Sequence, residues 1–353
     1  MRNGGRSTIH DVAKAAGVSI KTVSLVVNDK PGVGQKTRER VQKSVDCLSY
    51  RPHPAAQALR SHVARAVGVV FPAPRAAVPM SRSLQTWMYD ELVRVFGSRG
   101  HYVTFDYSVW GGDENTDYSR GLWEQAFGPC VVAGPLASDD TIIERIHNAG
   151  FPYIAMSRLD RFPACSCATV DYEKAAYESA RFLIKRGHRK IGLLQGLPQY
   201  QPGAERLRGY RRAMETAGLE FDESLIASVS FEESVLREAT AKLLQRKTVT
   251  AVIEASGWED SMALREGMHL ADRKPGEDVD VVAWTYVSDS TIFPEACAHV
   301  WLPMWEAAKE GLHELAQWIE GVREGPIHIV RDPILRRGGS SSESFKQSRL
   351  FGE

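Results

Sequence analysis

A short stretch near the start of the chain, GVSIKTVSLVVN at 17–28, separates apolar from hydrogen-bonding side chains. At helical spacing Val23, Val26 and Val27 fall on one side. The opposite side carries Ile20, Lys21, Ser24, Leu25 and Asn28. A lysine can donate hydrogen bonds to guanine, and a leucine can contact the methyl group of thymine. The stretch is therefore either an ordinary amphipathic helix or a helix that could read bases in the major groove of DNA.

The residues just before this stretch predict a first helix and a tight turn. TIHDVAKAAG places Thr8 three positions before Asp11, which is the spacing of a capping box. Gly17 can adopt the left-handed conformation that ends a helix, and Ser19 can cap the next one. Two short helices joined in this way form a helix-turn-helix unit.

Apolar residues at helical spacing supply a core for this unit and predict a third helix in QKTRERVQKSVDCLSY. They are Val12, Ala15 and Ala16 in the first helix, Val23, Val26 and Val27 in the second, and Thr37, Val41, Val45 and Leu48 in the third. We therefore expect an all-α, DNA-binding headpiece over residues 1–50. The alternative is a small helical cap that binds no ligand.

The charge of the chain is divided unevenly, although its net charge is zero. Residues 1–65 carry a net charge of +8, and the remaining residues carry −8. A basic module attached to an acidic body suggests a polyanionic partner for the first part only. Within 51–65, Pro52 and Pro54 end the third helix. PAAQALR can then form a short hinge helix that needs a partner for stability.

From residue 66 onwards, short apolar runs alternate with amphipathic helical stretches. Examples are AVGVVF, PCVVAG, KIGLLQG and VDVVAW, with helices such as EKAAYESARFLIKRG between them. This alternation predicts parallel sheets covered on both faces. Two such sets occur, one before and one after about residue 160. We expect an α/β body of two lobes over 66–338, with a ligand crevice at the carboxyl ends of the strands. The tail, 339–353, is expected to be disordered and lacks a leucine heptad for tetramerisation.

The stretches TIHDVAKAAGVSIKTVSLVVN, KTRERV and YRPHPAAQALR make residues 8–60 resemble the headpiece and hinge of the lactose/galactose/purine repressor (LacI/GalR) family. The body resembles the family's periplasmic-binding-protein-like domain through RFLIKRGHRKIGLLQG, ERLRGYRRAM, GEDVDVVAW and PILRRGGSSS. The resemblance implies a transcriptional regulator, most simply a repressor, that binds a near-palindromic operator as a homodimer. In that fold the segment near 293–328 returns to the first lobe.

The resemblance also assigns residues to DNA. Ile20, Lys21 and Leu25 match positions that read base edges, although many relatives carry arginine where Leu25 stands. Leu59, followed by Arg60, matches the hinge leucine that wedges into the minor groove. Contacts to DNA phosphates are expected from Thr8, Ser19, Thr22, Ser24 and Asn28. A further DNA contact is expected from His53 in the hinge. The hydroxyl groups among these residues could instead serve only as helix caps.

For the ligand crevice, the resemblance points to Arg206 as the effector-binding arginine, with an ion pair to Glu205 or a neighbour as the structural alternative. Further candidates are Ser157, Arg158, Glu259, Asp260 and Thr285. Thr285 stands where relatives usually have aspartate, and Glu259 where asparagine is frequent. The effector implied is a sugar or sugar derivative, with a nucleobase, another metabolite or no effector as alternatives. Induction and co-repression both remain open.

Two other classes of protein fit the sequence less well. An enzyme is not expected, because GxSxG, HExxH, P-loop and Rossmann glycine motifs are all missing. A secreted solute-binding protein would carry a signal peptide in place of the basic headpiece. The five cysteines are scattered and predict reduced thiols, with no metal or cofactor site. No apolar run approaches the length of a membrane span. We therefore expect a cytoplasmic, nucleoid-associated protein.

Overall fold

A computed structural model describes residues 7–27, 30–50, 66–73, 82–107, 117–230, 232–256, 262–288 and 293–338, with only the backbone at 82–85. The chain forms two compact units, Met1–Arg65 and Ala66–Glu353.

The headpiece consists of α1 (Ile9–Ala16), α2 (Ile20–Val27) and α3 (Gln35–Cys47). The predicted capping box is present, since the Asp11 amide donates to Thr8 Oγ1 at 3.3 Å and the Thr8 amide donates to Asp11 Oδ2 at 2.8 Å. Gly17 has a φ of 62° and ends α1 in the left-handed conformation. Ser19 Oγ accepts a hydrogen bond from the Thr22 amide at 3.1 Å, so it caps α2 as predicted.

The core of the headpiece differs from the prediction at one position of α1. Ala13 is buried and Ala15 is exposed, whereas Ala15 was expected to face the core. Because α1 packs against both α2 and α3, its buried side is broader than one stripe and includes Ala13. The other buried members of this core are Val12, Ala16, Val23, Val26 and Val41.

The body contains two six-stranded sheets. The strands are β1 (Ala66–Val70), β2 (Tyr102–Asp106), β3 (Cys130–Val132), β4 (Tyr153–Ala155), β5 (Cys167–Val170), β6 (Ile191–Gln195), β7 (Ile226–Ser228), β8 (Ala251–Ala255), β9 (Asp280–Thr285), β10 (Ala298–Trp301), β11 (His328–Arg331) and β12 (Ile334–Arg337). The first sheet has the order β11-β5-β4-β3-β1-β2, and the second has β12-β10-β9-β8-β6-β7. Pairing is parallel except between β10 and β12. In the first sheet, for example, Val69 lies opposite Phe105 and Val131.

Helices cover both faces of each sheet, as the alternating pattern predicted. The helices of the body are α4 (Arg82–Val95), α5 (Arg120–Trp123), α6 (Ile142–Asn148), α7 (Tyr172–Lys185), α8 (Gln201–Thr216), α9 (Glu233–Leu244), α10 (Met262–Leu270) and α11 (Met304–Ile319). On the first sheet, α4 and α11 pack on one face and α5 and α6 on the other. On the second sheet, α7 and α8 pack opposite α9 and α10.

The chain crosses between the two lobes three times. It passes from β5 to the second sheet, returns with α11 and β11, and crosses again to β12. The predicted return therefore occurs, but later than the start of the 293–328 segment, because β10 still pairs with β9 in the second sheet. Among the described residues, the helices are all too short or too polar to cross a lipid bilayer.

Candidate functional sites in the headpiece and the body

The exposed side of α2 carries the residues predicted to touch DNA. Lys21 is exposed, and Ile20 and Leu25 are half-buried at the border of the valine core. The Thr22 side chain is held by Ser19, whose Oγ lies 2.9 Å from Thr22 Oγ1. This side of α2 thus combines an exposed cation with two apolar side chains on a helix whose buried valines pack in the core.

Two of the residues that are predicted to contact phosphates serve as helix caps in the structure. Thr8 and Ser19 both cap helices. The hydrogen bonds from Thr8 also lower the pKa of Asp11. Capping does not prevent a hydroxyl group from donating to a phosphate, so the predicted DNA contacts of Thr8 and Ser19 stay predictions. Asn28, His53, Leu59, Arg60, Glu259 and Asp260 lie outside the described residues.

A cavity of about 120 Å³ lies between the two lobes of the body. Its wall includes residues that follow β3, β4, β6 and β9, which is the carboxyl edge of each sheet. The remaining wall comes from α4, α7, α8 and α11. The lining residues are Trp87, Met88, Leu92, Val131, Ala133, Gly134, Pro135, Met156, Tyr172, Gly196, Leu197, Tyr200, Pro202, Gly203, Arg206, Tyr286, Met304, Trp305, Ala308 and Leu312.

Arg206 is the charged side chain among these described lining residues. It is 5% exposed, and its Cζ lies 4.6 Å from the Tyr172 ring centre and 5.5 Å from that of Trp284. Its Nε is buried without a hydrogen-bond partner. Gly196 leaves room for the guanidinium, because a Cβ there would lie 3.0 Å from Arg206 Nη1. The site thus presents a cation that aromatic faces stabilise only in part.

The predicted alternative for Arg206, an ion pair with Glu205, is wrong because Glu205 pairs with Arg158. Arg158 Nε and Nη2 donate to the two carboxylate oxygens of Glu205 at 2.8 and 2.9 Å. Arg158 Nη2 also lies 3.3 Å from Asp171, which caps α7. Burial raises the pKa of Glu205, an effect that the hydrogen bonds and charge of Arg158 oppose. These three charges therefore form an interlobe network.

Ser157, Arg158 and Thr285 do not lie among the lining residues of the cavity. The buried Ser157 hydroxyl donates to the Arg158 carbonyl at 3.1 Å. Thr285 Oγ1 accepts from the Val287 amide at 3.0 Å and so closes the turn after β9. Arg206 therefore lies in the cavity wall. Ser157, Arg158 and Thr285 do not belong to that wall and make structural contacts instead. Their effector contacts stay predictions.

A buried acid near the cavity was missed by the sequence analysis. Glu254, on β8, accepts hydrogen bonds from the amide and hydroxyl groups of Ser256. Burial raises the pKa of Glu254 to about 7, while the Ser256 hydrogen bonds and the positive charge of Arg206 act in the opposite direction. The signal in the sequence was a glutamate inside the apolar run TAVIEA.

The aromatic wall was also missed. Trp87 and Trp305 stack with their ring centres 5.6 Å apart, and both line the cavity. Trp284 belongs to the core and donates from Nε1 to Ser179 at 3.0 Å. No pattern in the sequence marks Trp87 or Trp305 as cavity residues, because they come from helices that are far apart in the chain.

Backbone contacts hold the two lobes together beside the cavity. The Gln201 amide donates to the Leu136 carbonyl at 2.8 Å, and the Ser138 amide donates to the Gln199 carbonyl at 2.9 Å. Arg208, on α8, pairs with Asp160 of the first lobe at 2.8 Å. The structure therefore has its lobes in contact around the cavity.

The cysteines take no part in either site. All five are free thiols, and burial raises the pKa of Cys130 and Cys165 to about 12. Within the described residues, no group of three or more His, Cys, Asp or Glu side chains could hold a metal ion.

Two family models match the chain. Residues 8–53 match the bacterial regulatory proteins of the lacI family, and residues 82–279 match the periplasmic binding proteins and sugar-binding domain of the LacI family. The second match spans more than half of the chain.

Individual proteins agree with these family matches. The transcriptional regulator CelR of Thermobifida fusca is 29% identical over 94% of this chain and 97% of its own length. A structure of a CelR–cellobiose complex, 26% identical, covers 94% of this chain and 98% of that one with a TM-score of 0.63. The Lac repressor dimer bound to operator and an anti-inducer has a TM-score of 0.71 over 94% of this chain and 98% of that one, and at 19% identity it supports the fold.

The helix-turn-helix headpiece, the two-lobed body and both family matches lead to one assignment. This chain belongs to the LacI family of bacterial regulatory proteins and is a DNA-binding transcriptional regulator with a sugar-binding-type domain.

Proposed function

We propose that this regulator is a repressor that binds a near-palindromic operator as a homodimer, under the control of a small molecule in the interlobe cavity. The observation that carries the proposal is the presence in one chain of a helix-turn-helix unit with an exposed lysine on α2 and of a cavity whose Arg206 Nε has no hydrogen-bond partner among the described residues. The first feature suits DNA, and the second suits a ligand. Such a protein acts on chromosomal DNA in the cytoplasm.

In this proposal, the residue types at positions 21 and 25 of α2 decide which operator sequence the protein prefers. Lys21 donates hydrogen bonds to guanine, and Leu25 contacts a thymine methyl group. Arginine at position 25, common in relatives, would favour guanine through a bidentate contact. We therefore expect the operator of this protein to differ from theirs at the base pair that Leu25 reads. Leu59 would wedge into the central minor-groove step.

The proposed homodimer is supported by exposed apolar side chains on both lobes. Tyr102 lies on β2, an edge strand of the first sheet, and Tyr89 and Val93 lie on α4. On the second lobe, α10 exposes Met262 and Leu270. A second copy of the chain would bury these surfaces and place two headpieces at the two half-sites of one operator.

Ligand control follows from two lobe arrangements that hold the paired headpieces at different spacings. A ligand shifts the balance between them only by binding one arrangement more tightly. Preference for the operator-bound arrangement gives co-repression, and preference for the other gives induction. The CelR–cellobiose complex supports the cleft as the ligand site and, by family precedent, a sugar or a sugar derivative as the ligand.

Selection of bound sequences from random duplex DNA tests the DNA-binding part. We expect a near-palindromic site whose affinity falls at least tenfold in Lys21→Ala, because a contact to a base edge is lost. Lys43→Ala is the matched control, since it removes the same charge from an exposed position on α3. Equal losses in the two variants, or enrichment of no sequence, would contradict the proposal.

A further inference from the structure

The described wall of the interlobe cavity is poor in hydrogen-bond acceptors. Apart from the guanidinium of Arg206, its polar side-chain atoms are tyrosine hydroxyls and indole nitrogens. Two of those hydroxyls, on Tyr172 and Tyr286, lie 3.4 Å apart and can satisfy each other. No Asp, Glu, Asn, Gln or His occurs among the lining residues that the structure describes.

A neutral sugar fits this wall poorly. Each of its hydroxyl groups loses hydrogen bonds to water on entering a cavity and must regain them from the protein. Carboxylate and amide oxygens accept hydrogen bonds from sugar hydroxyls more strongly than tyrosine hydroxyls do, and the described wall lacks them. Apolar side chains such as Met88, Leu92 and Leu312 face the space instead.

The unpartnered polar atoms of the lining residues are hydrogen-bond donors. They are Arg206 Nε and Trp305 Nε1, and both are buried. Two unused donors, one of them cationic, match a ligand that brings acceptor oxygens and a negative charge. Among the described residues, no carboxylate is paired with Arg206, and the adjacent acid, Glu205, is bound by Arg158.

Glu254 also leaves the positive charge of Arg206 without full compensation. Its burial favours the protonated, neutral form at and below pH 7, so its charge compensates that of Arg206 incompletely. The aromatic faces of Tyr172 and Trp284 stabilise the guanidinium only in part. A ligand anion would supply the remaining compensation in a site of low dielectric constant.

We propose that the interlobe cavity binds a small organic carboxylate with an apolar body. The carboxylate pairs with Arg206, and an aromatic ring or branched aliphatic chain lies against Trp87, Met304 and Trp305. This inference rests on the proposed role of the cavity as the effector site, and it replaces a neutral sugar by an amphipathic anion.

Calorimetric titration of the full chain tests the charge requirement. The probes are 4-hydroxycinnamate, 3-phenylpropionate and 4-methylpentanoate, each beside its own methyl ester, with cellobiose and gluconate for comparison. We expect at least one acid to bind tenfold or more tightly than its ester, and neither cellobiose nor gluconate to bind at the same concentration. No binding by any acid, equal affinities of acid and ester, or preferential binding of either sugar probe would overturn the proposal.

Variants test whether Arg206 is the residue that binds the ligand carboxylate. Arg206→Met should abolish the difference between acid and ester, whereas Arg206→Lys should retain part of it. Arg211→Met is the matched control, because Arg211 lies on the same helix and stacks on Phe221 outside the cavity. A difference that survives in Arg206→Met, or disappears in Arg211→Met, would count against the site. If Arg206→Met does not fold, the comparison of acid and ester on the unaltered chain still tests whether the ligand must carry a negative charge.

Operator binding, measured separately, distinguishes this inference from the proposed function. Acids that bind without changing operator affinity would remove the regulatory role and leave the ligand class intact. Cellobiose that binds and changes operator affinity, with no binding of the acids, would remove the ligand class and leave the regulator intact.

Discussion

Glu254 is an ionisable residue on a buried parallel strand, where most proteins of this fold class have apolar side chains. The carboxylate is buried, and Ser256 is its hydrogen-bonding neighbour. Burial raises its pKa from 4.5 to about 7. The folded state therefore binds a proton that the unfolded chain releases between these two pH values. Folding stability must then fall as the pH rises from about 4.5 to about 7.

Replacing Glu254 by glutamine should remove this pH-dependent loss. Because 2.5 pH units correspond to about 3 kcal/mol, Glu254→Gln should stabilise the protein by up to about 3 kcal/mol at pH 8 and by much less at pH 5. Urea unfolding at the two pH values measures the change. Glu238→Gln, at an exposed position on α9, is the control and should have no comparable effect. An equal effect of Glu254→Gln at both pH values would contradict the raised pKa.

At the scale of elements, the structure joins the end of β4 to α8 across the lobes. Arg158 follows β4, and Glu205 lies on α8 with its side chain 1% exposed. A buried carboxylate without a partner is costly, whereas a buried ion pair adds little over an apolar pair of similar size. The pair therefore makes the contact between these two elements depend on the presence of both charges.

A double-mutant cycle tests this dependence. Arg158→Met should destabilise the protein by about 2–3 kcal/mol because Glu205 is left unpaired, and adding Glu205→Met should restore most of that loss. Arg181→Met removes an exposed pair with Glu178 on α7 and should cost less than about 1 kcal/mol. Urea midpoints give the comparison. A loss in Arg158→Met no larger than that in Arg181→Met would refute the interpretation.

For the whole molecule, the proposed dimer connects the body to operator recognition. The aromatic residues at the edge of the first sheet are ordered, with Tyr89 Oη 3.2 Å from Tyr107 Oη and the Tyr89 ring edge-on to Phe105. Val93 is 62% exposed on the neighbouring α4. An ordered apolar surface at a sheet edge is typical of an interface between subunits.

A charge placed on this surface should dissociate the dimer. Val93→Glu should sediment as a monomer and lose most of its operator affinity, because single headpieces reach only one half-site. Val330→Glu introduces the same charge at an exposed valine on β11, the opposite edge of the first sheet, and should remain dimeric. Sedimentation velocity decides between the outcomes. A monomeric unaltered protein, or a dimeric Val93→Glu variant, would exclude this interface.

Much of the fold could be predicted from local signals in the sequence. The capping box at Thr8, the left-handed Gly17 and the cap at Ser19 all depend on residues within four positions of each other, and each is present. The longer apolar strands were also predicted. The strands β5, β7 and β10–β12 were not predicted, and all five lie at or next to an edge of their sheet.

The sequence by itself determined the headpiece, the alternating body and the family, because capping, periodicity and turn formation act between near neighbours in the chain. It also singled out Arg206. Only the tertiary structure decided what surrounds that arginine. Tyr172 stacks on it, Trp87 and Trp305 line the same cavity from two other helices, and Glu205 pairs with Arg158 instead. The wall of a cavity is set by long-range packing, which no local spacing in the sequence records.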